Sequence, residues 1–229
     1  MMRWALIVAM VGCRNHAEPD RGAELPTLAE LARTPDELDA AADPHLDEAA
    51  RVAALETWAE HGGRIVVPTA PTDTFVQGRE LAFAVAARIA KDKPDDDRAL
   101  EAALYAAQRL RRDNPTLLRA MLSTGITIEA IRHRAHPPAF AARYAPTDAE
   151  VVQALAGEAL YSARAHAEHP DAADPWPSWA WLATEPRDRS SVLSQMFQHL
   201  PPWSMYSGES EMAVRMYIAV DDYQRWLAR

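Results

Sequence analysis

Apolar residues recur along this chain at helical spacing rather than in strict alternation, a period that predicts helices burying one face each. Leu46 to His61 places Leu46, Ala49, Ala50, Ala53, Ala54 and Trp58 on one such face, and Gly62-Gly63 ends the helix. Gly78 to Lys91 carries Leu81, Val85 and Ile89 in i, i+4 register. Pro94-Asp95-Asp96-Asp97 caps a third helix that reaches about Asp113, because carboxylates suit the positive end of a helix dipole. Asn114-Pro115 opens a shorter helix through Leu122, which Gly125 breaks. Thr127 to Arg134 and Ala139 to Tyr144 form short helices split by Pro137-Pro138.

Thr147-Asp148-Ala149-Glu150 has the form of a capping box ahead of a long helix to about His169. Asp171 to Pro186 is loop-like, Asp188 to His199 is helical, and Pro201-Pro202 stops it. A final amphipathic helix from about Glu209 aligns Met212, Met216, Val220, Tyr223 and Leu227. Towards the N-terminus, Thr27 with Glu30 and Thr34-Pro35 with Glu37 mark two further helix starts. Arg64 to Phe75 is the one extended stretch, since Ile65-Val66-Val67 is β-branched while Pro68 and Pro71 exclude a helix. A single short strand makes no sheet, so it is expected to be a loop packed on helices. The whole predicts an all-α fold, an irregular multi-helix bundle or short helical-hairpin array of about eight to ten helices.

Charge narrows the partners. Of 229 residues, 33 are acidic and 24 are lysine or arginine, a net charge of -9. Such a chain has no electrostatic reason to bind nucleic acid or to lie on anionic lipid. Its one cysteine, Cys13, rules out an intramolecular disulfide framework, so stability must come from an ordinary apolar core.

Cys13 has a particular setting. Met1-Met2-Arg3 brings one positive charge, Trp4 to Val11 is apolar throughout, and small Gly12 precedes the thiol. This segment resembles the signal peptide of a bacterial lipoprotein, with Met10-Val11-Gly12-Cys13 as the lipobox and Met10 where the family usually has leucine. The resemblance implies that the cysteine sulfur receives a diacylglycerol and that cleavage leaves Cys13 as the new N-terminus. It also implies a cell-envelope protein anchored through lipid, with its domain outside the cytoplasm. The apolar run is far shorter than the roughly twenty residues a membrane-spanning helix takes. Residues 1–12 are therefore expected to be signal peptide, 13–26 the lipidated cysteine and a polar tether, and 27–229 one helical domain.

Candidate chemistry in the domain is sparse. Trp176, Trp179 and Trp181 share a proline-stiffened loop, and Pro201-Pro202 leads into Trp203 and Tyr206. Aromatic rings on stiff loops offer large contact area at low entropic cost, which suits an envelope protein or a cell-wall glycan as partner. His133 with His136 and His166 with His169 have the spacing that puts two imidazoles on one helix face, which is the alternative reading: a metal-binding protein or metal-dependent hydrolase. No nucleophile elbow, phosphate loop or dinucleotide fingerprint occurs, and no catalytic residue or cofactor is assigned. The expected protein is a membrane-anchored binding or scaffolding module. A helical cytosolic protein without lipid is the second alternative.

Overall fold

The computed structural model describes residues 45–64, 73–113, 116–168, 188–199 and 207–229. Among them every regular element is helical, with seven α-helices and one 3₁₀ turn. The α-helices are α1 (Glu48–Glu60), α2 (Asp73–Asp92), α3 (Asp97–Arg112), α4 (Leu117–Arg132), α5 (Asp148–Glu168), α6 (Arg189–His199) and α7 (Ser207–Leu227). The 3₁₀ turn, Ala141–Tyr144, lies between α4 and α5. The helix starts expected at Thr27 and Thr34, most of the extended stretch, and the loop from Asp171 to Pro186 lie outside the described residues.

The helix ends follow local chemistry. The Asp47 carboxylate accepts from the Ala50 amide at 2.8 Å and starts α1; Asp96 accepts from Ala99 at 3.0 Å and starts α3. Thr147 and Glu150 form the reciprocal box ahead of α5, with amide-to-side-chain distances of 3.1 and 3.2 Å. The Asp188 carboxylate accepts from the Ser191 amide at 2.8 Å and starts α6. At the end of α1, Gly62 takes φ +68°, and the Gly62 and Gly63 amides donate to the Ala59 and Trp58 carbonyls. A left-handed residue there lets the chain turn back over the last carbonyls of the helix.

Packing centres on α3 and α4. Ala99, Ala102, Ala103, Ala106 and Ala107 are all buried along α3, and side chains this small let α1, α2 and α4 approach its axis closely. One apolar cluster gathers Trp58 of α1, Phe83 of α2, Leu104 of α3, Ile126 of α4, and Tyr223 and Trp226 of α7. A second joins Leu117 of α4, Leu155 of α5, Val192 of α6, and Met216 and Val220 of α7. Both α4 and α7 contribute to both clusters, so they bind the two halves of the core together. The stripe expected on the last helix is the one buried: Met216, Val220 and Tyr223 are enclosed, and Met212 and Leu227 pack at its edges.

Three expectations are corrected. Gly125 does not break a helix, and α4 runs unbroken from Leu117 to Arg132. One glycine costs a helix about 1 kcal/mol, whereas Ser123, Ile126, Thr127, Ala130 and Ile131 around it are held in the interior. The inward face of α1 is Leu55, Glu56 and Trp58, while Leu46 stays 38% exposed and Ala49 and Ala53 are exposed. Of the expected face, Trp58 is enclosed and Ala54 packs against the core, and Leu55 beside them turns the buried side away from Ala49 and Ala53. Finally, α2 begins at Asp73, inside the stretch expected to be extended, and α7 begins at Ser207.

The two glycines after α1 serve different needs, and substitution separates them. A Cβ at Gly62 meets nothing within 4 Å, so Gly62→Ala costs only the left-handed backbone, about 1–2 kcal/mol. At Gly63 a Cβ would overlap the indole of fully buried Trp58, and Gly63→Ala costs about 1–3 kcal/mol through overpacking. Urea unfolding of the two single variants and of Gly63→Ala/Trp58→Phe checks this. The Phe background relieves the Gly63 cost and leaves the Gly62 cost unchanged.

Candidate functional site

The densest polar constellation in the described residues surrounds Arg111, in the last turn of α3. Its side chain lies in the interior, where a cation needs acceptors on every side. Its Nε donates to Glu150 Oε2 at 3.0 Å, one terminal nitrogen to Ser123 Oγ at 2.7 Å, and the other to the Tyr144 carbonyl at 2.9 Å. These partners come from α5, α4 and the 3₁₀ turn. Ser123 in turn donates to the Ala107 carbonyl of α3 at 2.8 Å. Arg111 and Glu150 are each 6% exposed, so the pair is shielded from water and salt. Burial pushes the Arg111 guanidinium down from its ordinary value, and the Glu150 carboxylate opposes that shift.

Glu150 is the hinge of the arrangement. Besides Arg111 it accepts from half-exposed Arg112 at 2.7 Å and from the Thr147 amide at 3.1 Å, so it closes the capping box and the ion pair together. The 3₁₀ turn is secured from two more sides, by Gln108 donating to the Arg143 carbonyl and Tyr223 donating to the Ala141 carbonyl, each at 2.8 Å. Beside the pair, a shallow crevice between α4, the start of α5 and α7 is lined by Thr127, Val151, Met216 and Val220. Chemically, this is a clamp: the carboxylate and guanidinium are both engaged by the protein itself.

A second node fastens α6. Arg189 donates to both oxygens of Asp148, at 2.7 and 3.1 Å, and to both of Asp221, at 2.8 and 2.9 Å. Its guanidinium also lies 4.7 Å from the Tyr217 ring centre. One side chain thus ties the starts of α5 and α6 to the middle of α7. Hydrogen bonding to Asp221 and Asp148 holds the Arg189 pKa above its usual value, and Arg189 holds the Asp221 carboxyl below its own.

The residues singled out in the sequence fall elsewhere. Cys13, Trp176, Trp179, Trp181, Trp203, Tyr206 and His169 lie outside the described residues. His133 caps the C-terminus of α4 and is exposed, as is His136, and Glu129 pairs with Arg132. His166 lies in α5. Among the described residues, no group of three or more His, Cys, Asp or Glu could hold a metal ion. Conversely, the Arg111 clamp has only a partial signal in the sequence: Glu150 stands in the capping box, and three arginines crowd the end of α3.

The fold and its clamp define an all-α body organised about a buried arginine–glutamate pair. Comparison with protein-family models, curated proteins and solved structures finds no match.

Two measurements test this description. Arg111→Met costs about 3–5 kcal/mol, as a buried pair does on losing one partner, whereas Arg112→Met costs at most about 1 kcal/mol because that guanidinium is half in water. Urea midpoints separate the two, and equal costs would remove the clamp from its central role. Alkaline stability gives the second. Burial, aided by the bond to Glu101, pushes Tyr144 up to about 12, and burial does the same for Tyr217. An unfolded phenol ionises near 10.0, so stability is full below that pH and falls as pH rises from 10.0 through about 12. Phenolate absorbance is expected to appear together with loss of helical circular dichroism.

Proposed function

We propose that this chain is a membrane-anchored envelope lipoprotein, held by lipid on Cys13, whose helical body acts outside the cytoplasm as a non-catalytic binding or scaffolding module. The observation that carries the reading is Met10-Val11-Gly12-Cys13 directly behind the apolar run Trp4 to Val11. Each buried methylene contributes about 0.8 kcal/mol and one acyl chain binds only reversibly, so a diacylglycerol on the sulfur supplies the second chain that stable anchoring needs. No described helix is long and apolar enough to cross a membrane. Lipid is then the attachment the sequence offers.

The scaffolding part of the reading draws on the two polar nodes of the helical body. Arg111, Glu150, Ser123, Arg189, Asp148 and Asp221 are all engaged in joining helices. The proposed contact surface is the aromatic set Trp176, Trp179, Trp181, Trp203 and Tyr206, with an envelope protein or cell-wall glycan as partner.

An intact mass of the mature protein is expected to begin at acylated Cys13, and Cys13→Ser is expected to leave the membrane fraction. An unmodified Met1 start with unchanged fractionation would overturn the anchor. For the surface, Trp176→Ala/Trp179→Ala is expected to weaken sedimentation with purified cell-wall glycan or crosslinking to envelope neighbours at least about tenfold while keeping the helical signal. Unchanged capture in both assays would dismiss it.

A further inference from the structure

The outward face of α7 carries a second pattern, independent of its buried stripe. Glu211, Arg215, Ile218, Asp222 and Arg225 recur at alternating steps of four and three, so they form one line along the helix. Ile218 is 48% exposed and stands at the middle of that line; among the described residues only it and Leu46 are large apolar side chains left in solvent. On either side the charges are already organised into ion pairs, Arg215 with Glu211 and Arg225 with Asp222.

The order of signs reads acid, base, isoleucine, acid, base. Laid antiparallel on itself about Ile218, this line sets Glu211 opposite Arg225 and Arg215 opposite Asp222, and two isoleucines meet at the centre. Every opposition is attractive, and a twofold axis makes each occur twice. A parallel arrangement sets Glu211 on Glu211 and Arg215 on Arg215, which is repulsive throughout. Charge therefore chooses both the partner and its direction.

We propose that α7 pairs with α7 of a second copy of this chain, antiparallel, about a twofold axis through Ile218. Each intrahelical ion pair then becomes half of a four-membered charge ring spanning both copies. Contact along one helix face is smaller than the roughly 1,200–2,000 Å² of a standard stable interface, so the pairing is weak between molecules free in solution. It does not depend on acylation of Cys13.

Covalent capture suits a weak twofold contact, because residue 218 meets its own copy at the axis. In the full chain carrying Cys13→Ser, Ile218→Cys is expected to form a disulfide-linked dimer faster than Gln224→Cys, an exposed control on the same helix that does not meet itself. Adding Arg225→Glu puts like charges together twice and is expected to slow capture at least about tenfold. Adding Glu211→Arg to that variant restores opposite signs and is expected to return the fast rate, which misfolding could not do. Equal capture at positions 218 and 224, or no recovery on the second reversal, would overturn the pairing.

Discussion

A guanidinium enclosed in a helical body dictates where its neighbours lie. Withdrawing a charge from water costs several kcal/mol, and only a full set of well-placed acceptors offsets it. Arg111 meets that requirement with groups from three other elements, so α4, the 3₁₀ turn and α5 each have one permitted position relative to α3. The apolar clusters would tolerate some sliding, because dispersion and burial have little directionality. The ion pair does not. Moving α5 by one helical turn, about 5.4 Å, carries Glu150 out of reach of both Arg111 and Arg112.

That constraint also couples local and distant structure. Glu150 closes the capping box over Thr147 and receives Arg111 with the same oxygen, Oε2. The start of α5 is therefore fixed by residues three positions apart and by a residue on α3 at once. Tyr223 extends the coupling to α7 by donating to the Ala141 carbonyl, and Arg189 repeats the device with Asp148 and Asp221. Polar bonds thus join elements of both apolar clusters, to which α4 and α7 each contribute.

How much of this the sequence discloses depends on the range of each interaction. Caps are local: Asp96, the Thr147–Glu150 box and the Gly62-Gly63 ending each act within a few residues, and each stands where the residue pattern puts it. The buried stripe of α7 was equally legible, since large side chains at helical spacing leave one face to bury. Gly125 misled because its cost is small beside the packing of the residues around it. In α1 Trp58 and Ala54 lie on the expected face, but Leu55 lies off it, and its size turns the buried side away from Ala49 and Ala53. The clamp was beyond local reading, because Arg111 and Glu150 meet across 39 positions and nothing in the intervening residues announces the contact. The candidate site of the sequence, the tryptophan segment with Cys13, lies outside the described residues and rests on composition and resemblance.

The outer line of α7 shows a different limit. Exposed charges on a helix are ordinarily a solvated face, and the intrahelical pairs Glu211–Arg215 and Asp222–Arg225 fit that description. Their order gains meaning only when the line is reversed upon itself, an operation that no residue count or period performs. The proposed lipid on Cys13 adds weight to such an arrangement. A contact too small to hold two molecules in dilute solution gains from confinement, since copies tethered to one membrane share a high effective concentration. With the proposed anchor and the proposed α7 pairing together, the acidic body would assemble at the membrane while remaining separate away from it, with orientation set by charge rather than by apolar area.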